Sequence, residues 1–539
     1  MSKTVENPRA PSAPDYIRAA KGLKSWLTTT DHKRIGVMYL IAILIFFVFA
    51  MLLGLMIRLE LLSPGEQFLS HDAYNRTLTL HGITMIFLFI IPSVPAVFGN
   101  FILPIQLGAN DVAFPRLNLA SWYFYVAGGI LALITVFLGG VDTGWTFYIP
   151  YSTEAAQNVY FPIFAAFILG WSSILTGINF IVTVHRLKAP TMKWFQMPLF
   201  AWALYATSWI QVLATPVVGI TLLLILTERF LGIGIFDPAK GGDPILYQHM
   251  FWIYSHPAVY IMILPGMGVA SEVVSVFSRK AVFGYKFVAM SSLAIAGIGS
   301  LVWAHHMFTS GMADEARWIF SLLTFLVAIP SAVKVFNWLA TMHRGSIQLD
   351  APFLLTLAFI FLFCIGGFTG LLQGALSTDI HLHDTAFIVA HFHYTMFGGG
   401  GVMFFAALHY WFPKMFGRMY DRGVAKLSFA LFFVGFNCLY FPLFLAGIAG
   451  MPRRCADYLP EYASYHRLST IGSWILVPAV LLMLANLIRA LRTGAIAPAS
   501  PWGGSTLEWA VPSPPPTHQF PAVPIVEGGP YRYEEASHV

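Results

Sequence analysis

Between Ile35 and Leu491 the chain repeats one pattern about twelve times, a run of roughly 20 apolar residues followed by a short polar turn. A helix needs about 20 residues to cross the hydrocarbon core of a bilayer, and lipid tolerates only backbones whose hydrogen bonds close on themselves. The pattern therefore predicts an all-α polytopic membrane protein with about 12 transmembrane helices. Composition agrees: 57% of the 539 residues are hydrophobic and 10% are charged, where a soluble domain carries about 25% charged residues. A soluble enzyme is excluded, and no module is left over for nucleic acid.

Three segments are expected: a polar N-terminal segment at 1–34, a twelve-helix unit at 35–493 and a proline-rich tail at 494–539. The first has no short apolar stretch with a small-residue cleavage site, so no cleaved signal is expected. The tail is expected to lie extended on the surface or against a partner and to carry no chemistry. Cys364, Cys438 and Cys455 are far apart, which argues against a disulfide framework or a thiolate metal centre and leaves them as packing residues.

The net charge of +6 matters less than its placement. With Arg18, Lys21, Lys24, Lys33 and Arg34 in the cytoplasm, alternating spans bring Arg186, Lys188 and Lys193 to the same side. The groups around Arg279, Lys280 and Lys286 and around Lys414, Arg418, Arg422 and Lys426 follow, and an even number of spans returns the C-terminus there. Arg453 and Arg454 break this rule, because they fall on the outer face and need a local anionic partner.

Six histidines fall near that outer face. His81 opens the second span, His256 the sixth, His305 and His306 close the seventh, and His391 and His393 open the tenth. At 1.5 Å per helical residue they share one depth to within about 10 Å. One intramembrane histidine is ordinarily a hydrogen-bonded packing residue, but six in a layer, with no thiolate and few carboxylates nearby, read as a transition-metal region. On a helix His391 and His393 project from nearly opposite faces and so serve different centres. His305 and His306 can share one ion with His256, a carboxylate-free set that suits copper; His391 and the pair His81 with His393 remain as axial ligands for two haems. Tyr260, one turn after His256, could set a phenol beside the metal.

The segments WAHHMFTSG, HPAVYIMILPG, HDTAFIVAHFHYTMFGG, LHGITMIFLFIIP and GMPRR together resemble subunit I of the haem-copper oxidases, from about Asp31 to the SPPP of the tail. The resemblance implies four-electron reduction of O₂ to water, with electrons from cytochrome c and coupled proton translocation, in the bacterial cytoplasmic membrane. It implies His81 and His393 as ligands of a low-spin haem, His391 as the ligand of a high-spin haem, and His256, His305 and His306 as ligands of copper B. Tyr260 would be cross-linked to His256. Arg453, Arg454, Trp145 and Asp379 would hold the haem propionates, Arg58 the formyl group of haem A, and His383 and Asp384 a magnesium ion at a subunit interface. Further subunits are implied as well: a subunit II carrying a dinuclear copper site, a subunit III and small subunits.

Protons must cross apolar protein to reach such a site. Lys334 with Ser331 in the eighth span matches the family's lysine pathway toward Tyr260, and Asp111 with Asn100 and Asn118 matches the mouth of its aspartate pathway. The glutamate that usually ends the latter is Ala258 here, and Tyr254-Ser255 precedes His256, as in the subgroup where a Tyr-Ser pair replaces it. Arg186 stands where asparagine is frequent. Three alternatives remain open at this point. A quinol oxidase would have a polar cluster where this chain has Phe49, Leu53, Ala73 and Arg76. A nitric oxide reductase would lack Tyr260 and Lys334. A transporter would have its polar residues nearer the midplane.

Overall fold

A computed structural model describes residues 14–533. The described residues form helices with no named strand, only isolated β-bridges. Ten helices are long and apolar enough to cross a membrane: α1 His32–Glu60, α2 His71–Gln106, α3 Pro115–Phe137, α4 Tyr160–Arg186, α5 Leu199–Leu231, α6 Pro244–Ser278, and, after a shorter helix, α8 Asp314–Met342 and α9 Ala351–Gly374, then α11 Arg422–Ile448 and α12 Pro460–Thr493. The shorter one is α7, Tyr285–Gly299. The helix α10 is composite, with Ala386–Phe392, a π segment His393–Gly401 and Val402–Phe416 in direct succession. With these two the succession reaches the expected twelve.

α2 and α6 are buried through most of their length, whereas α1, α3 and α8 turn much of their surface outward, which is what lipid contact asks of an apolar helix. α2 is interrupted by π segments at Thr84–Ile90 and Ser93–Gly99, the second containing Pro95, which has no N–H to give. The first lies just after His81 and packs against the π segment that begins at His393. Wider turns of this kind are frequent at functional sites.

The tail does not lie free. Trp502 Nε1 donates to the Tyr410 carbonyl, Lys33 Nζ to the Thr517 carbonyl, and Asn110 Nδ2 to the Phe520 carbonyl. Through these bonds it folds back over one end of this chain's own bundle. The aromatic residues between its prolines give it buried anchors such as Trp502 and Trp509. That same end carries Lys33, Arg186, Lys280 and Arg418. The three cysteines are free and partly buried.

Candidate metal centre

At the opposite end of the bundle the imidazoles of His256, His305 and His306 converge, with one ligand nitrogen from each within 4.8 Å of the others. His256 comes from α6. His305 and His306 lie in a tight 3-10 turn, Trp303–Met307, because α7 has already ended at Gly299; the two are not part of that helix. His256 Nδ1 stands 3.0 Å from His306 Nε2. His305 Nδ1 lies 2.9 Å from Thr324 Oγ1, whose own hydrogen goes to the Phe320 carbonyl, so the threonine can only accept. That bond sets the His305 tautomer and leaves Nε2 with its lone pair. Trp252 stacks on His306 with ring centroids 3.7 Å apart and walls off one side.

His256 Nε2 is buried with no hydrogen-bond partner among the described residues, and the Tyr260 ring lies edge-on to the same imidazole at 4.9 Å. A buried polar atom left without a partner is costly in a native protein. Three imidazoles, that of His256 buried and those of His305 and His306 part-buried, with no carboxylate or thiolate in the cluster among the described residues, form a donor set that fits copper and does not suit magnesium or calcium.

The remaining histidines of the layer are presented in another way. His81 Nδ1 lies 2.8 Å from the Ala50 carbonyl and His393 Nδ1 2.8 Å from the Val389 carbonyl. His391 Nδ1 lies 3.0 Å from Thr369 Oγ1, which donates to backbone carbonyls one turn back. Nδ1 is engaged in each ring and Nε2 is left free, the arrangement in which an imidazole meets a haem iron. A methyl added at Gly54 would come within 2.9 Å of His81 Cε1, and one at Gly370 within 3.0 Å of His391 Cε1. Both rings thus stand where only glycine leaves room. Gly54→Ala is expected to push His81 from its seat at a cost of about 1–3 kcal/mol, read as a lower thermal unfolding temperature of the purified protein. His391 and His393 turn to different neighbours, His391 to α9 and His393 to Tyr440 of α11, on which it stacks at 4.1 Å.

Above this layer lies a charged cluster. Arg453 Nε donates to Asp384 Oδ1 at 2.7 Å, and Asp379 Oδ2 is 2.9 Å from His383 Nδ1. Burial opposes the charge on Asp384, but Arg453, His383 and Arg454 hold its carboxyl below the usual range. Burial, then the neighbouring Arg453, pushes Arg454 down to about 10, so it stays cationic. Its guanidinium lies beside Gly144, and Trp145 meets Trp252 edge-on at 5.9 Å, which joins this cluster to His306. Arg58 is elsewhere, tied to α12 through His466 and Thr470, with its Nε buried and unpartnered among the described residues.

Two polar trails leave the basic end. Lys334 Nζ, wholly buried, donates to Ser292 Oγ at 2.8 Å and to the Val288 carbonyl at 3.0 Å, both on α7, while Ser331 bonds only its own helix. Tyr260 packs on the far end of the same α7, where a methyl at Gly299 would stand 2.5 Å from its ring. Asp111 lies part-buried in the loop before α3. Above it Asn118 has neither side-chain atom partnered, and Asn100 Oδ1 is also unpartnered, among the described residues. Tyr39 then bonds Ser121 and Ser172, and a cavity of about 30 Å³, room for at least one water, is lined by Ser172, Ser173, Thr176 and Gln211. Ser255 Oγ lies unpartnered among the described residues further up, beside the buried Tyr254.

Thr324, Thr369 and Trp252 escape a reading of the sequence. A threonine in a span usually bonds its own helix and signals nothing. Trp252 could have been noticed, one turn before His256 and on the same face.

The family model for cytochrome c and quinol oxidase polypeptide I matches residues 34–475. Cytochrome c oxidase subunit 1 of Thermostichus vulcanus is 42% identical over 525 residues, 97% of this chain and 95% of that protein. Cytochrome c oxidase subunit 1 of Bacillus sp. (strain PS3) is 42% identical over 512 residues, 94% of this chain and 83% of that protein. A solved structure described as a haem-copper terminal oxidase dimer superposes with a TM-score of 0.72 at 21% identity, covering 86% of this chain and 85% of that one, and shows the fold. The architecture and the sequence agree: the chain belongs to the cytochrome c and quinol oxidase polypeptide I family.

Proposed function

We propose that this chain is the catalytic subunit of a bacterial cytochrome c oxidase, in which O₂ is reduced to water beside His256, His305, His306 and Tyr260. The observation that carries the reading is the convergence of those three imidazoles with a phenol at one of them. In this reading the three histidines hold copper B, His391 holds a high-spin haem, and His81 and His393 hold a low-spin haem. The metals, when bound, supply O₂ binding and one-electron steps. The protein's own part is to fix the imidazoles through Thr324, Thr369 and backbone carbonyls, to exclude water with Trp252, and to hold a proton on the Tyr260 hydroxyl. The pairing of His256 Nδ1 with His306 leaves Nε2 as the atom for a bond to Tyr260.

Arg453, Arg454 and Trp145 receive the propionates, with Asp379 as a neighbour, and the free Nε of Arg58 is available to a formyl oxygen of haem A. His383 and Asp384 offer magnesium one imidazole and the carboxylate oxygen that Arg453 leaves over. Residues 35–493 form the membrane unit, with 1–34 and 494–539 on the cytoplasmic side, of which 1–13 and 534–539 lie outside the described residues; the basic residues gathered at the tail's end of the bundle support that orientation. Partner subunits bring the dinuclear copper site, for which this chain has no cysteine pair. The groove where a quinol cluster would lie is lined by Leu53, Ala73 and Arg76, and Arg76 is engaged by Asp72 and the Gly139 carbonyl.

The test is O₂ consumption by the purified complex with reduced cytochrome c or with a quinol. Turnover with cytochrome c is expected; turnover with the quinol alone would move the chain to the quinol branch. A further expectation concerns Asp111, whose carboxyl burial pushes up to about 7. It carries a proton below that pH and loses it above, so proton uptake should fall as pH rises through about 7. In Asp111→Asn the rate should be low and should lose that inflection, measured as proton uptake from the cytoplasmic side.

A further inference from the structure

Far from the histidines, the tail buries two carboxyl groups against the basic end of the bundle. Glu272, in the last turns of α6, and Glu508, in the tail's turn Leu507–Trp509, are both wholly buried. Glu272 Oε1 accepts from the Phe200 N–H at 3.1 Å and from the Tyr531 hydroxyl at 2.7 Å. Glu508 Oε1 accepts from the Gln106 amide at 2.9 Å. The other oxygen of each carboxyl has no hydrogen-bond partner among the described residues, and neither does Gln106 Oε1. Both carboxyls lie around Tyr410: Trp509 Nε1, next to Glu508, donates to the Tyr410 hydroxyl at 3.0 Å, and Phe277, five residues after Glu272, packs on the Tyr410 ring at 6.4 Å.

Lys414 on α10 is the cation within range of Glu508. It is also buried, and its ammonium donates to the carbonyls of Ala499, Val511 and Pro512 rather than to either carboxylate. The other titratable groups facing the pair are phenols: Tyr410 on α10, Tyr285 on α7, and Tyr531 and Tyr533 in the tail. Two carboxylates and one ammonium leave a single negative charge in a dry site, which a protein rarely tolerates. A divalent cation would ask for six or more oxygens, whereas five are unpartnered here among the described residues, two of them the hydroxyls of Thr506 and Tyr533.

We propose that Glu272 and Glu508 bind one proton between them and so form a latch that holds the C-terminal tail on the bundle. One proton cancels the net charge. It also turns an orphaned oxygen of Glu508 into a donor toward the amide of Gln106, whose Oε1 is unpartnered, so that two of the unpartnered atoms are satisfied together. Burial pushes the Glu508 carboxyl up, the same direction. When the proton leaves, two like charges face each other out of water, and the contact free to open is the tail's.

The test is infrared spectroscopy of the intact purified complex, comparing the natural protein with Glu272→Gln and with Glu508→Gln across a pH titration, in sodium and in choline buffers. Haem content verifies that each variant assembles. A carbonyl band of a protonated carboxyl, shifted in D₂O, is expected in the natural protein and should be lost in both single variants, since the site as a whole then holds one carboxylate and one ammonium. A band that survives in either variant, or no difference between the natural protein and both variants, overturns the shared proton. A midpoint that moves with sodium concentration assigns the site to a metal cation and overturns it too. Amide exchange of residues 505–511, corrected for its intrinsic pH dependence, should rise with pH in the natural protein and stay level in Glu508→Gln; equal behaviour in the two removes the latch.

Discussion

Replacing Tyr260 with phenylalanine is expected to leave both haems bound and to lower O₂ reduction by roughly 10²–10⁴-fold, the range over which a positioned proton donor contributes to catalysis. The change deletes one hydroxyl from a ring that lies edge-on to His256 at 4.9 Å and packs against α7 at Gly299. The ring and its packing are retained, so the loss should be one of chemistry and not of assembly. Rapid oxidation kinetics with simultaneous haem quantitation check this. Substantial steady-state turnover in a fully haem-loaded variant would remove the Tyr260 hydroxyl from the mechanism.

Lys334→Met should slow turnover comparably and selectively, stalling reduction of the high-spin haem more than that of the low-spin haem. A lone buried lysine costs at least about 2.5 kcal/mol in a membrane span. Here it bonds Ser292 and the Val288 carbonyl, and no carboxylate lies within salt-bridge distance among the described residues. Such a placement is hard to explain by stability and natural for a proton carrier. Ser292 and Gly299, on the helix that Lys334 and Tyr260 both touch, are separated by about 10 Å at 1.5 Å per residue, a gap that a chain of about three waters would bridge. Stopped-flow reduction followed separately at each haem distinguishes the cases, and equal slowing of both would contradict the pathway.

Much of the architecture can be read from the apolar runs, because lipid permits a single regular solution for such segments. The layer of histidines is legible for the same reason, since polar residues at one depth stand out in an apolar background. Two features are not. His305 and His306 sit in a 3-10 turn after α7 because that helix stops at Gly299, and no periodicity announces the stop. The tail's docking is a long-range event, in which Glu508 meets Gln106 at 402 residues' separation, and a proline-rich composition conceals the aromatic anchors that drive it. The hydroxyls of Thr324 and Thr369, which orient their histidines, are equally silent until the helices are packed.

The central claim is that the six histidines hold two haems and a copper ion. A reduced-minus-oxidised optical spectrum of the purified complex, with and without carbon monoxide and alongside iron and copper analysis, tests it most directly. Two haems of which one binds carbon monoxide, with one copper beyond those of any partner subunit, is the expected result. Absence of haem, or two haems that both ignore carbon monoxide, would contradict it.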